Sequence, residues 1–126
     1  MFSHVMLGAD DMDASKKFYD AAFQALGGRE GIVDPKGRVM YIHNGGIFML
    51  SQPIDGEPAS CGNGSTIGFA AENPEQADAW HKAGLDNGGT AIEDPPGVRE
   101  NNGMKLYLAY LRDPAGNKVC AMHRMG

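Results

Sequence analysis

The stretch Phe2-Ser3-His4-Val5-Met6-Leu7-Gly8, followed after two residues by Asp11-Met12-Asp13-Ala14-Ser15-Lys16-Lys17-Phe18-Tyr19, lays out the first two elements of the chain. Val5 and Leu7 alternate with His4 and Met6, the period of two expected of a strand with two different faces. The carboxylates of Asp10, Asp11 and Asp13 then suit a helix N-cap and the positive end of a helix dipole. Phe18, Ala22, Ala25 and Leu26 recur at spacings of three and four, and Gly27-Gly28 offers a left-handed stop. A strand followed by a helix with one sheet-facing side is the expectation.

Beyond this helix, three short segments read as extended: about Arg29 to Val33, Arg38 to His43 and Gly46 to Ser51. Asp34-Pro35-Lys36-Gly37 and Asn44-Gly45-Gly46 between them are turn chemistry, so the three form an antiparallel meander. One βαβββ module thus spans about residues 1–52. Residues 53–64 are rich in Pro, Gly, Ser and Asn without apolar periodicity, the mark of a linker.

The pattern restarts in a second module, about 65–126. Thr66 to Ala70 alternates like the opening strand, and Asn73-Pro74-Glu75-Gln76 begins a helix with Asn at the N-cap, Pro at N1 and Gln at N3. Trp80 and Ala83 are its expected inner face. Extended segments follow around Thr90-Ala91-Ile92, Leu106 to Leu111 and Lys118 to Met122, while Asp94 to Lys105, with Pro95-Pro96-Gly97 and Asn101-Asn102-Gly103, reads as a long loop. His4 and Thr66, and likewise Phe18 and Trp80, stand 62 positions apart. A constant offset between like elements marks an internal repeat.

Composition narrows the function classes. The chain has 126 residues, 42% hydrophobic and 21% charged, which suits one globular domain with a real core. Its net charge of −5 lacks the clustered Lys and Arg that nucleic acid or anionic lipid requires; Lys16-Lys17 sits among Asp13 and Asp20 as a solvated helix face. No apolar run approaches membrane-spanning length, and Met1 to Gly8 has no leader-like pattern. Two cysteines, Cys61 and Cys120, form no CxxC or disulfide framework, so a cytoplasmic location is expected, with a Cys61–Cys120 pairing left open.

The opening strand and helix, with Ser15-Lys16-Lys17-Phe18-Tyr19, together with Tyr110-Leu111-Arg112-Asp113-Pro114-Ala115-Gly116-Asn117-Lys118-Val119, resemble the vicinal oxygen chelate superfamily of glyoxalase I, bleomycin resistance proteins and extradiol dioxygenases. With the repeat between them, the resemblance covers the whole chain. It implies an α+β fold in which paired βαβββ modules curl their sheets into an open, barrel-like cleft with the helices outside. It also implies a homodimer binding a small organic molecule. Members that bind a divalent metal take ligands from four strand positions, two per module; here those positions hold His4, Met49, Thr66 and Cys120. Only His4 matches the usual donors. Catalytic Zn, Ni, Fe or Mn sites need about three firm N, O or S⁻ ligands, and of this set His4 and Cys120 alone are candidates.

The residues expected to line the cleft are His4, Met6, Met49, Thr66, Tyr107, Cys120 and Met122, with Arg99 beside the long loop. His4 can act as a metal ligand, a general base or a plain hydrogen-bonding group. Cys120 is a nucleophile only if a neighbour lowers its pKa, and otherwise a small hydrophobe; period two puts His123 on the opposite face from it. Of Tyr107 and Tyr110, on opposite faces of one strand, Tyr107 is the expected cleft residue. Tyr41 and His43 reach either the cleft mouth or an ordinary turn-flanking position. Arg99 is suited to clamping a carboxylate or phosphate. The methionines make the cleft apolar, which favours an organic ligand. Two functions follow: a metal-free binder of an apolar or aromatic compound, which the missing ligands favour, or a metal-dependent lyase, isomerase or dioxygenase acting on a small oxygenated substrate; if the chain is an enzyme, a glyoxalase-like lyase is the expectation.

Overall fold

In the computed structural model, which describes residues 1–126, β1 (Val5–Gly8) leads into α1 (Met12–Ala25). Asp11 caps that helix, its carboxylate accepting from the Ala14 N–H at 3.0 Å, and Gly27 follows at φ 85°, the left-handed stop read from Gly27-Gly28. Three strands complete the module: β2 (Ile32–Val33), β3 (Val39–His43) and β4 (Gly46–Ser51). They assemble in the order β1-β4-β3-β2, with β1 parallel to β4 and the other pairs antiparallel.

The second module repeats the plan with β5 (Ile67–Ala70), α2 (Pro74–Asp86), β6 (Thr90–Ala91), β7 (Gly97–Asn101), β8 (Met104–Arg112) and β9 (Lys118–Arg124). Asn73 accepts from the Gln76 N–H at 2.7 Å, while the Gln76 side chain accepts from the Glu72 N–H at 2.7 Å, a reciprocal cap around Pro74. The sheet order is β5-β9-β8-β6, β5 lying parallel to β9 just as β1 does to β4. Val5 opens β1 and Ile67 opens β5, so the 62-position offset is carried by equivalent strands.

Two sequence expectations change here. The segment expected to be a long loop contains β7, which pairs antiparallel with β8 beyond β6, so β6 and β7 share one edge of the sheet. Gly97-Val98-Arg99-Glu100-Asn101 has no alternation of its own; β8 supplies the ladder that holds it extended. The inner face of α2 is Ala77, Trp80 and Gly84 rather than Ala83, which is only half-buried.

Both helices lie on one side of the sheets and pack against each other. Their shared core joins Phe18, Tyr19, Phe23 and Trp80 to Tyr41, Phe48 and Leu50 of the first sheet and Ala109, Leu111 and Val119 of the second. Phe69 of β5 lies edge-on to Phe23 (centroids 5.2 Å) and to Phe48 (5.3 Å), so the two modules have one continuous core. The sheets do not close into a barrel; their edge strands β1 and β5 are unpaired with each other. No helix is long and apolar enough to cross a membrane.

Candidate functional site

Strand parity divides each sheet into a helix-packed face and a helix-free face. On β1, Val5 and Leu7 pack toward the core, leaving His4, Met6 and Gly8 on the other side; on β4, Phe48 and Leu50 are buried, leaving Met49 and Ser51. Register then aligns one rank across the whole first sheet: Met6 opposite Met49, Met49 opposite Met40, Met40 opposite Ile32. Three flexible thioethers and a branched aliphatic chain thus form a continuous apolar band on the open face. An open depression of about 870 Å³ adjoins this rank at Met6, bounded also by Met12, Arg38, Ser51 and Ile54.

The second sheet follows the same rule. Cys120 lies opposite Gly68 on one side and Tyr110 on the other, and the next rank runs Ala70, Met122, Leu108, Gly97. Cys120 is 6% exposed, and burial pushes its thiol up to about 11 even though the Lys118 charge pulls the other way. Lys118 holds its ammonium 5.0 Å from the centroid of the Tyr110 ring and pairs with Glu93. At neutral pH the Cys120 sulfur is therefore a protonated thiol, a poor nucleophile.

His4 precedes β1, is exposed, and its Nδ1 lies 2.8 Å from the Ser3 hydroxyl. Thr66 precedes β5 and is exposed as well. The donors at the four positions that the resemblance marks as metal ligands, His4, Met49, Thr66 and Cys120, are thus an imidazole, a thioether, a hydroxyl and a buried neutral thiol. Nowhere in the chain do three His, Cys, Asp or Glu side chains come together as a metal ion would need. Catalytic divalent ions generally take about three firm N, O or S⁻ ligands, and among these four side chains the His4 imidazole is the one ordinary donor.

Several placements differ from expectation. Tyr107 does not face the open side: with Ala109 and Leu111 it points toward the helices, its hydroxyl donating to Asp78 of α2 at 2.7 Å. The helix-free tyrosine of β8 is Tyr110. The same period of two that groups Tyr107 with Ala109 and Leu111 also groups it with the core, which is the signal that could have corrected the reading. Tyr41 likewise lies in the core, its hydroxyl donating to Asp20 at 2.8 Å. His43 stands beside the Phe23 ring (6.1 Å between centroids) with Nε2 buried and unpartnered, at the wall of a cavity of about 260 Å³ lined also by Leu26, Phe48 and Phe69. Both residues are on the opposite side of the first sheet from the methionine rank. His123 faces away from Cys120, Nδ1 3.1 Å from the Ala71 carbonyl. Met6, Met49, Cys120 and Met122 share the open faces, and Arg99 joins them from β7 through its pairing with Leu106.

The comparisons with known proteins agree with this architecture. Residues 1–121 match the family model of the Glyoxalase/Bleomycin resistance protein/Dioxygenase superfamily. A glyoxalase/bleomycin resistance protein from Albidiferax ferrireducens superposes with a TM-score of 0.94 at 56% sequence identity, covering 98% of this chain and 99% of that one. A glyoxalase/bleomycin resistance protein/dioxygenase family enzyme from Burkholderia phytofirmans (TM-score 0.73, 18% identity, 98% of each chain) shares the fold. So does a lactoylglutathione lyase from Agrobacterium tumefaciens (TM-score 0.69, 22% identity, 98% of this chain and 92% of that one). No protein of curated function matches the sequence.

Proposed function

The chain belongs to the glyoxalase/bleomycin resistance protein/dioxygenase superfamily, and from that premise we propose that it binds a small apolar or aromatic organic compound on its helix-free strand faces without a resident metal ion. The rank Met6, Met49, Met40, Ile32 carries this reading. Met49 stands at a position where metal-binding members of the superfamily place a carboxylate, and it forms the middle of an apolar band instead. Thioethers adapt to varied ligand shapes, and apolar walls with few polar groups are the usual lining of small-molecule sites. We extend the proposal to a homodimer in the cytoplasm: Phe2 and Val33 are largely exposed and suit a second copy, and two free cysteines suit a reducing compartment.

The test pairs a metal with an apolar probe. Chelator-treated protein is titrated with zinc, nickel, manganese and ferrous ions in a thermal-shift assay, and with N-phenylnaphthylamine by fluorescence. The expected result is no metal-dependent stabilisation and a saturable fluorescence rise that weakens in Met49→Gln. Near-stoichiometric metal whose stabilisation disappears in His4→Ala would instead favour the metal-dependent lyase, isomerase or dioxygenase. Sedimentation equilibrium reads the oligomeric state.

A further inference from the structure

The helix-free face of the second sheet has a charge pattern that its apolar ranks do not explain. Its strand positions run in parallel ranks: Thr90, Arg112 and Lys118; then Tyr110, Cys120 and Gly68; then Gly97, Leu108, Met122 and Ala70; then Arg99, Leu106 and Arg124. Two apolar ranks therefore lie between two cationic ones. No Asp or Glu occupies any strand position on this face, although the chain as a whole carries a net charge of −5.

The two cationic ends differ in how far their charges are already used. Lys118 pairs with Glu93, and Arg112 donates to the Gly116 carbonyl at 2.8 Å. Arg99 and Arg124 form no salt bridge. Arg99 is half-buried, and one terminal nitrogen donates to the carbonyls of Asp94 (2.9 Å) and Pro95 (3.1 Å), which fixes the guanidinium while its other N–H groups stay uncommitted. Arg124 makes no side-chain hydrogen bond and stands two strands away, about 9–10 Å between backbones, with Leu106 between them.

We propose that this pair recognises the charged end of an organic anion whose apolar body lies on the half-buried Leu106, Tyr110 and Met122. The inference rests on the binding function proposed above and names its ligand class: an aromatic or aliphatic acid rather than a neutral compound. Guanidinium groups pair with carboxylates and sulfonates through parallel N–H donations, and one already anchored by its own backbone loses little freedom on binding. Leu106 and Tyr110 stand about 13 Å apart along β8, room for one or two rings.

Anilinonaphthalene sulfonate and its uncharged counterpart N-phenylnaphthylamine test the proposal directly, because they differ in the sulfonate alone. The expected result is that the anion binds roughly tenfold more tightly, and that Arg99→Gln and Arg124→Gln each remove most of that advantage while leaving the neutral probe unchanged. Lys82→Gln, which removes a cation on the outer face of α2, should alter neither probe. Arg124 is exposed and unbonded, so its variant stays informative even if Arg99→Gln loosens the Asp94–Pro95 segment. Equal affinity for the two probes, or a loss in Lys82→Gln as large as in Arg124→Gln, would overturn the anion class and leave the apolar site standing. Failure of both probes to saturate would overturn the site itself.

Discussion

Tyr19 donates its hydroxyl to Asp113 Oδ2 at 2.6 Å, across 94 residues of sequence and from one module to the other. Asp113 is 4% exposed and also accepts from the N–H groups of Ala115 and Asn117 and from Asn117 Nδ2, which in turn donates to the Gly8 carbonyl at 3.1 Å. The turn between β8 and β9 is thereby tied to both α1 and β1. Tyr19→Phe keeps the ring and removes one donor from a buried carboxylate, so it should lower the unfolding free energy by about 1.5–3 kcal/mol. Urea denaturation with an unchanged m-value checks this. A loss below about 0.5 kcal/mol would mean that the bond gives no net support to the module junction.

Two buried phenols set an alkaline limit to stability. Burial, and then the Asp113 charge and hydrogen bond, hold the Tyr19 pKa well above its ordinary 10.0; burial, and then the bond to Asp20, raise that of Tyr41. A group whose folded pKa lies above its unfolded value stabilises fully below the unfolded value and loses that contribution as pH rises through the folded one. Stability should therefore hold up to about pH 9 and fall above about pH 10 by as much as ~1.4 kcal/mol per pH unit for each phenol. Equilibrium unfolding across pH 8–11 checks the slope, which should be shallower in Tyr41→Phe. A flat profile through pH 11 would contradict the assignment.

The sequence was legible wherever local signals and tertiary contacts agreed. Asp11, Asn73 and Pro74 mark helix starts because capping is chemistry between near neighbours, and the turns at Asn44-Gly45 and Asp113 to Asn117 separate strands for the same reason. β7 was not legible, because its extended form comes from a ladder with β8 rather than from its own residues. For the candidate site, period two groups Met6 with His4 and Tyr107 with Ala109 and Leu111, yet it does not say which group meets the helices. That is why the sequence alone puts Tyr107 on the open face although Ala109 and Leu111, which share its side, lie in the core. Arg124 carried no local signal at all; only the register of β9 against β8 and of β8 against β7 puts it in line with Arg99.

Gly84 marks the closest approach of α2 to its surroundings. A Cβ there would lie 2.3 Å from Leu111 Cδ1 and 3.3 Å from the Phe18 ring, and both neighbours are fully buried. Alanine gains about 1 kcal/mol in helix propensity over glycine, but forcing a methyl group into a filled core typically costs about 1–3 kcal/mol. Gly84→Ala should therefore be neutral to destabilising by up to ~2 kcal/mol, and a companion Leu111→Val should recover part of the loss by clearing the Cδ1 position. Melting curves of the single and double variants decide it. A single variant more stable than the parent would show that Leu111 has room to move.

The two cysteines should differ sharply in reactivity, and the difference bears on what the open face can do. Cys61 is exposed, beside the turn at Gly116, whereas Cys120 is buried between Gly68 and Tyr110 with its thiol raised to about 11. Attack by sulfur requires the thiolate, so at pH 7 the Cys120 sulfur is both shielded and almost wholly protonated. Titration of the native protein with a disulfide reagent should therefore show one fast thiol, lost in Cys61→Ser, and a second that reacts only after denaturation. Rapid modification of Cys120 in the native protein at neutral pH would contradict its burial and restore a nucleophilic role to the position.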